Sequence, residues 1–284
     1  MKKLLVLFMF AGISISVLAQ ETKDVFTHKF GTAEISLLSE AQQQARPNIL
    51  INATPEMLSK YAPNGTFPNA MNAFLLRADK NILIDAGLGS KLFENLQSLA
   101  VSAEQVHIVL ITHMHGDHIG GLLREGKATF PNAEVYLAQS EHDYWMNNGD
   151  RGRQAREVIA LYKDRLHLFQ PDELDAKVNE IIPGIQAIAA YGHTPGHTIF
   201  MLTSGKEKLL VWGDLTHAMA IQMPYPQVSV TYDVDPALAA ASRQKVLEYV
   251  TKNSIPVAGM HVAFPGMGNL TKSEEGGYIF RELK

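Results

Sequence analysis

The segment that most constrains this sequence has three histidines and one aspartate in four of six consecutive positions, His113-Met114-His115-Gly116-Asp117-His118. Imidazole and carboxylate groups are common metal ligands, and core packing has no use for so many of them together. The segment follows an apolar run at residues 108–111, which is typical of a strand buried on both faces. In extended backbone, His113 and His115 point the same way. We therefore predict a metal-binding loop at the end of a buried strand.

Three later segments each place another potential metal ligand at the end of a predicted strand. These ligands are His193, Asp214 and His261. A single histidine at a strand end is usually an ordinary polar residue, but four donors in one loop cannot complete the coordination of two ions. The presence of all three residues in this order favours one shared site. Because the chain has no cysteine, its metal ligands must be histidine and carboxylate, and no disulfide can form.

The first nineteen residues have the pattern of a secretory signal peptide. Lys2 and Lys3 precede an apolar stretch, which polar residues interrupt before the small residue Ala19. This stretch is too short for a transmembrane helix, and cleavage after Ala19 would release a mature chain of residues 20–284. The pattern predicts a periplasmic or secreted protein without a membrane anchor.

Composition limits the partners of the mature chain. Its formal charge of −4 becomes −6 once the signal peptide, with Lys2 and Lys3 as its only charges, is removed. An acidic protein is a poor match for nucleic acid, so we expect a small-molecule substrate and no nucleic-acid partner. No linker or low-complexity stretch divides residues 20–284, which we interpret as a single domain. A homodimer is compatible with the sequence.

Short β-rich runs alternate with helical patterns along the chain. Strands are predicted at residues 33–38, 72–76, 81–85, 107–112, 133–137, 185–190, 198–203, 209–212 and 255–258. Helices are predicted at residues 92–99, 155–166 and 237–250, and Asp235-Pro236 has the character of an N-cap and first-turn pair for the last of them. This alternation favours an α/β sandwich of two sheets covered by helices.

Several motifs along residues 70–268 resemble the metallo-β-lactamase superfamily. They are Leu83-Ile84-Asp85-Ala86-Gly87, the His113 to His118 segment, Gly192-His193-Thr194-Pro195-Gly196, Gly213-Asp214 and His261. Within the superfamily the chain looks most like methyl parathion hydrolases and N-acyl-homoserine lactonases. That closer resemblance rests on Phe130-Pro131-Asn132-Ala133, Gly192 to Thr198, Gly213-Asp214-Leu215 and Phe264-Pro265-Gly266-Met267-Gly268.

The resemblance implies an αββα fold, with two mixed sheets flanked by helices, and a site for two divalent metal ions, with zinc expected. The ligands that it implies for the first ion are His113, His115 and His193, and those for the second are Asp117, His118 and His261. Asp214 would bridge both ions. The early aspartate, Asp85, is expected to orient a ligand or a loop instead of binding metal.

A binuclear site predicts hydrolysis by a hydroxide that bridges the metals, with Asp117 as the catalytic proton relay. Lactones, carboxylic esters and organophosphate-type esters are the expected substrates. Candidate pocket residues, taken from segments near the metal ligands, are Trp145, His217, Met219 and Ile221. The apolar members would favour an acyl chain or an aromatic leaving group, although ordinary core packing explains them almost as well. His197 is expected to make a turn contact.

Two other functions fit the same motifs. A mononuclear iron dioxygenase that oxidises glutathione persulfide would contain iron and consume oxygen, so the identity of the metal separates it from a hydrolase. A metallo-β-lactamase is less favoured, because no cationic residue adjoins the Gly259-Met260-His261 segment to bind a substrate carboxylate. A binding protein with a vestigial site is disfavoured because none of the seven donors is missing.

Overall fold

The computed structural model describes residues 24–284, so the predicted signal peptide at residues 1–19 lies outside the described part of the chain. Among these residues, no helix is both long and apolar enough to cross a membrane. The first ten strands are β1 Val25–Phe30, β2 Ala33–Ala45, β3 Leu50–Ile51, β4 Phe67–Arg77, β5 Asn81–Ile84, β6 Ile108–Leu110, β7 Leu123–Arg124, β8 Lys127–Ala128, β9 Glu134–Ala138 and β10 Leu166–Phe169. The remaining strands are β11 Glu180–Ile182, β12 Ile185–Ala189, β13 Thr198–Ser204, β14 Glu207–Val211, β15 Ser229–Val230, β16 Val257–Ala258, β17 Met267–Lys272 and β18 Tyr278–Glu282.

Fourteen of these strands form two mixed sheets of seven strands each. The order in the first sheet is β1-β2-β4-β5-β6-β9-β10, and neighbours from β5 to β10 are parallel. The order in the second sheet is β11-β12-β13-β14-β16-β17-β18, in which β14 and β16 are parallel and the other neighbours antiparallel. The αββα sandwich predicted from the sequence is confirmed.

Alternation along the strands divides the buried residues into layers. In β5, Ile82 and Ile84 contribute to the core between the sheets, while Leu83 points to the opposite face and packs in the helix-covered core. In the second sheet, Val211 of β14 joins the core between the sheets and Leu210 joins the outer core. Both sheets are therefore apolar on two faces, which is why their strands contain continuous apolar runs.

The helices are α1 Pro55–Tyr61, α2 Leu92–Ser98, α3 Gly116–Ile119, α4 Gln139–Met146, α5 Arg153–Tyr162, α6 Met219–Gln222 and α7 Pro236–Lys252. Helices α2 and α5 contribute to the outer core of the first sheet, and α7 to that of the second. Helix α7 begins as predicted, because the Asp235 side chain accepts a hydrogen bond from the Leu238 amide and Pro236 occupies the first turn.

The structure differs from the sequence-based prediction after α5. The predicted helix at residues 155–166 ends at Tyr162, a 3-10 turn covers Lys163–Arg165, and Leu166 begins β10 beside β9. Leu166 lies four residues after Tyr162, so it continues the helical spacing although its backbone is extended. In the two main sheets, the strands absent from the prediction are β1, β10, β11, β17 and β18, and the two-residue strands β3, β7, β8 and β15 were not predicted either.

Candidate metal centre

The potential metal ligands lie just after the carboxyl ends of strands. Within each sheet most of these strands have parallel neighbours, so their carboxyl ends lie at the same edge. His113 and His115 follow β6, and the next two donors lie on α3. Asp214 follows β14, and His261 follows its parallel neighbour β16. Because parallel strands align their carboxyl ends, loops from both sheets converge at one end of the sandwich. The structure brings all seven predicted donors together there.

The first group contains three imidazoles and one carboxylate. His115 Nδ1 lies 2.9 Å from His113 Nε2 and 2.9 Å from His193 Nε2. Asp214 Oδ2 lies 3.1 Å from His193 Nε2 and 3.5 Å from His113 Nε2. Four potential ligand atoms thus face a common point, as they would around a tetrahedral ion.

The second group lies on the other side of Asp214. It consists of Asp117, His118 and His261, with Asp117 Oδ2 located 3.8 Å from His118 Nε2 and 3.5 Å from His261 Nε2. Asp214 Oδ1 lies 3.1 Å from His118 Nε2, while Asp214 Oδ2 lies 3.1 Å from His261 Nε2. Since its carboxylate reaches both groups, Asp214 has the placement of a bridging ligand.

Two observations show that this cluster fits divalent cations. His118 Nε2 and Asp214 Oδ1 are buried and face each other, yet neither has a hydrogen-bond partner among the described residues. Burial, reinforced by neighbouring imidazoles, lowers the pKa of His113 well below its usual value and that of His115 to about 3. A neutral imidazole is the form that binds metal, and the lowered pKa favours that form at His113 and His115. At His118, His193 and His261 burial alone would lower the pKa, but the nearby carboxylate of Asp214 raises it.

Asp85 is fully buried at the end of β5 and contacts a ligand. Its Oδ2 lies 2.6 Å from His118 Nδ1 and accepts a hydrogen bond from Thr112 Oγ1, while Oδ1 accepts one from the Thr112 amide. The backbone of Asp85 has an unusual positive φ of 54°, which directs the carboxylate side chain toward His118 and Thr112. This placement suits a residue that fixes the orientation of His118.

Asp233 plays the corresponding part for His193, and the sequence analysis missed it. Its Oδ1 lies 2.9 Å from His193 Nδ1, and its Oδ2 accepts a hydrogen bond from the Val230 amide. Burial alone would raise the pKa of Asp233, but the contact with His193 and the Val230 amide lower it. The ionised carboxylate therefore holds the His193 ring with Nε2 toward the first group.

Glu141, on α4, joins the two loops that hold the first group. The fully buried carboxylate accepts hydrogen bonds from the Met114 amide and Trp145 Nε1 through Oε1. Through Oε2 it accepts two more, from Thr194 Oγ1 and the Gly196 amide. Burial raises the pKa of Glu141, while all four hydrogen bonds oppose that shift. No motif in the sequence marks Glu141.

His197 does more than the turn contact expected of it. Its Nδ1 lies 2.9 Å from the Ala190 carbonyl oxygen, and its Nε2 accepts a hydrogen bond from the Asp214 amide. Burial lowers the pKa of His197 to about 3, so the neutral ring can donate at one nitrogen and accept at the other. His197 thereby positions the backbone of the bridging aspartate.

A cavity of about 570 Å³ opens over the donors. Of the four predicted pocket residues, only His217 lines it, and His217 Nε2 lies 3.1 Å from Asp214 Oδ2. Trp145, Met219 and Ile221 do not line this cavity. Ile221 is fully buried among Phe67 and Val228, and Met219 packs in the outer core of the second sheet. Trp145 is buried, its indole nitrogen donates a hydrogen bond to Glu141, and its ring packs edge-on against that of His115.

The remaining cavity wall is mixed, whereas an apolar wall was expected: Ala45, Ile49 and Met71 contribute apolar surface beside several polar side chains. The end of β2 and the residues after it contribute Gln43, Gln44 and Arg46, and other segments contribute Asn69, Arg151 and Tyr232. Sequence reasoning missed these residues because they are scattered along the chain and belong to no motif.

The fold and the site define a class of protein, an αββα sandwich with a histidine and aspartate centre suited to divalent metals. A model of the metallo-beta-lactamase superfamily matches residues 67–254, more than half of the chain. The chain belongs to this superfamily of metallo-hydrolases, and the predicted resemblance is confirmed.

The chain is also similar to individual proteins. Protein YobT of Bacillus subtilis (strain 168) is 29% identical over 151 residues, which cover 51% of this chain and 61% of YobT. The solved structure of AbOPH, a hydrolase of the beta-lactamase superfamily, covers 93% of this chain and 99% of its own, with a TM-score of 0.83 and 26% identity. The structure of the dizinc quorum-quenching lactonase AidC in complex with a product matches 92% of this chain and 97% of AidC, with a TM-score of 0.82 and 24% identity.

Proposed function

We propose that this protein is a binuclear metal-dependent hydrolase of lactones, carboxylic esters or organophosphate-type esters. The observation that carries the proposal is the position of Asp214 between the two groups of donors: its Oδ2 lies near His193 of the first group and His261 of the second, and its Oδ1 lies near His118. The similarity to the hydrolase AbOPH and the fold shared with the dizinc lactonase AidC support it. Because the sequence predicts a signal peptide, we also propose that the protein acts in the periplasm or outside the cell.

When bound, two divalent ions would polarise the scissile carbonyl or phosphoryl group and provide hydroxide near neutral pH. The first would be held by His113, His115 and His193, and the second by the remaining group, with Asp214 shared. The chain's own residues fix the orientation of these ligands. Asp85 orients His118, Asp233 orients His193, and His197 holds the Asp214 backbone.

Asp117 is the residue best placed to move a proton. Its side chain is about a quarter exposed. Of the other six donors, five are buried and only His115 is partly exposed. It also lines the cavity, so it can contact both substrate and solvent. We infer that its carboxylate receives a proton during attack and returns it to the leaving oxygen.

The test combines metal analysis with substrate turnover. We expect close to two divalent ions per chain, with hydrolysis of a homoserine lactone, aryl ester or phosphotriester that chelation abolishes and added zinc restores. Asp214→Asn should retain fewer than two ions, because both ions depend on the Asp214 carboxylate. Its hydrolytic activity should be lower than that of the wild type by a factor of more than about 100. Asp79→Asn, at an exposed turn between β4 and β5, is the matched control and should retain both.

Full activity in a metal-free preparation would contradict the proposal. One iron ion per chain together with oxygen uptake in the presence of glutathione persulfide, and no turnover of the ester panel, would favour the dioxygenase instead. Turnover restricted to β-lactams would favour the β-lactamase. The second donor group of Asp117, His118 and His261 supports two ions over one.

A further inference from the structure

The cavity over the donors has two arginines in its wall and no carboxylate apart from two of the predicted metal ligands. Arg46 and Arg151 line it, and the only carboxylates in its wall are the predicted metal ligands Asp117 and Asp214. This contrasts with the whole chain, in which 29 acidic residues outnumber 25 basic ones. Outside the predicted metal ligands, the charged residues of the cavity wall are therefore all basic, although the chain as a whole is acidic.

The two arginines come from separate segments. Arg46 follows β2 in extended backbone, just before the 3-10 turn Pro47–Ile49. Arg151 lies in the 3-10 turn Gly149–Gly152 between α4 and α5. Each lies in or directly beside a short 3-10 turn, and the fold brings both to the wall of the same cavity.

Neither guanidinium group forms an ion pair within residues 24–284. The arginine side chains that do pair are engaged elsewhere, Arg77 with Glu34 and Arg243 near Asp233. Arg46 and Arg151 are exposed and have free donors. A guanidinium group presents its donors as a planar fork that matches the oxygens of a carboxylate or a phosphate.

From this arrangement we propose that the substrate is an ester or lactone carrying a separate anionic oxygen group, a carboxylate or a phosphate, bound by Arg46 and Arg151. The inference rests on the proposed hydrolase function and specifies its substrate class. Two divalent ions would bring more positive charge than Asp117 and Asp214 neutralise, which further favours an anionic substrate. No cationic residue adjoins His261 in the sequence, but the fold brings Arg46 and Arg151 from other segments to the same cavity.

The test compares esters that share a leaving group and differ in the group at the far end of the acyl chain. The probes are the 4-nitrophenyl monoester of adipic acid, its methyl-capped neutral counterpart and a phosphonate-terminated analogue of equal length. For the metal-loaded protein, we expect kcat/KM to be about tenfold higher for an anionic ester than for the capped one. The more rapidly hydrolysed anion identifies the oxygen group, and the preference should weaken as ionic strength rises.

Variants assign the preference to the arginines. Arg46→Gln and Arg151→Gln should each reduce the preference, and the double variant should abolish it through a higher KM for the anionic esters alone. Metal content should stay unchanged, since neither residue is among the donors. Arg281→Gln, at an exposed position of β18, is the control and should keep the full preference.

The outcomes separate the two proposals. Equal kcat/KM for charged and capped esters, or a preference that survives in the double variant, would overturn the anionic substrate and leave the hydrolase intact. If the metal-loaded protein hydrolyses none of the esters, lactones or phosphotriesters, the proposed function fails and this inference fails with it.

Discussion

Glu141 shows how one residue outside the ligand set can determine the geometry of a metal site. Four donors converge on its carboxylate, so Glu141→Gln must place an amide group against at least two of them. We expect the free energy of unfolding of the metal-free protein to fall by about 3 kcal/mol, since hydrogen bonds to a charged group contribute about 1.5–3 kcal/mol each. Urea unfolding followed by Trp fluorescence measures this change.

The same substitution should separate a positioning role from a merely structural one. Glu141 joins the loop of His113 and His115 to that of His193, so the first ion should bind about 10- to 100-fold more weakly while the second is little affected. Competition with a chromophoric chelator resolves the two affinities. Glu94→Gln, on the exposed face of α2, should change neither of them. Equal weakening of both ions would argue against a positioning role.

At the scale of elements, the turn between β12 and β13 depends on a glycine. Gly192 has a φ of 125°, and a Cβ there would overlap the backbone of Ala239 in the first turn of α7. Gly192→Ala combines a strained φ with overpacking and should destabilise the protein by about 3 kcal/mol, with loss of metal because the turn carries His193. Denaturant unfolding and metal analysis test this.

Gly205→Ala is the matched control. Gly205 also has a positive φ, of 62°, in the turn between β13 and β14, but a Cβ there would meet open space. The free energy of unfolding of Gly205→Ala should therefore fall only by the backbone cost of about 1 kcal/mol, and this variant should keep its full metal content. A similar loss of stability in both variants would mean that contact with α7 is unimportant.

The elements also show what a sequence can predict. The strands that end at the site contain short apolar runs, and α7 has its own cap, so both are visible in the sequence. Strand β10 is not, because Leu166 continues the spacing of α5 until tertiary pairing with β9 draws it into the sheet. Strand β17 contains glycine and polar residues, and its pairing with β16 and β18 becomes evident only in three dimensions.

The site was predictable to the same extent. The seven donors stand out because imidazole and carboxylate groups gather after strand ends, whereas Asp233 and Arg46 have no local pattern. Ile221 was assigned to the pocket from its place in the sequence, although an apolar residue near a site can equally belong to the core. Sequence patterns therefore indicate the chemistry of the centre better than the walls of its cavity.

At the scale of the whole molecule, metal binding should stabilise the association of the two sheets. The first group takes His113 and His115 from the first sheet and His193 and Asp214 from the second, so an ion there links both halves of the sandwich. Ligand at about 1,000 times its Kd stabilises a folded protein by about 4 kcal/mol. For a chain of this length, we expect chelation to lower the Tm by roughly 10 °C in calorimetry. Asp214→Asn should already have a low Tm that chelator barely changes, and an unaltered wild-type Tm after complete metal removal would show that the sheets associate without the ions.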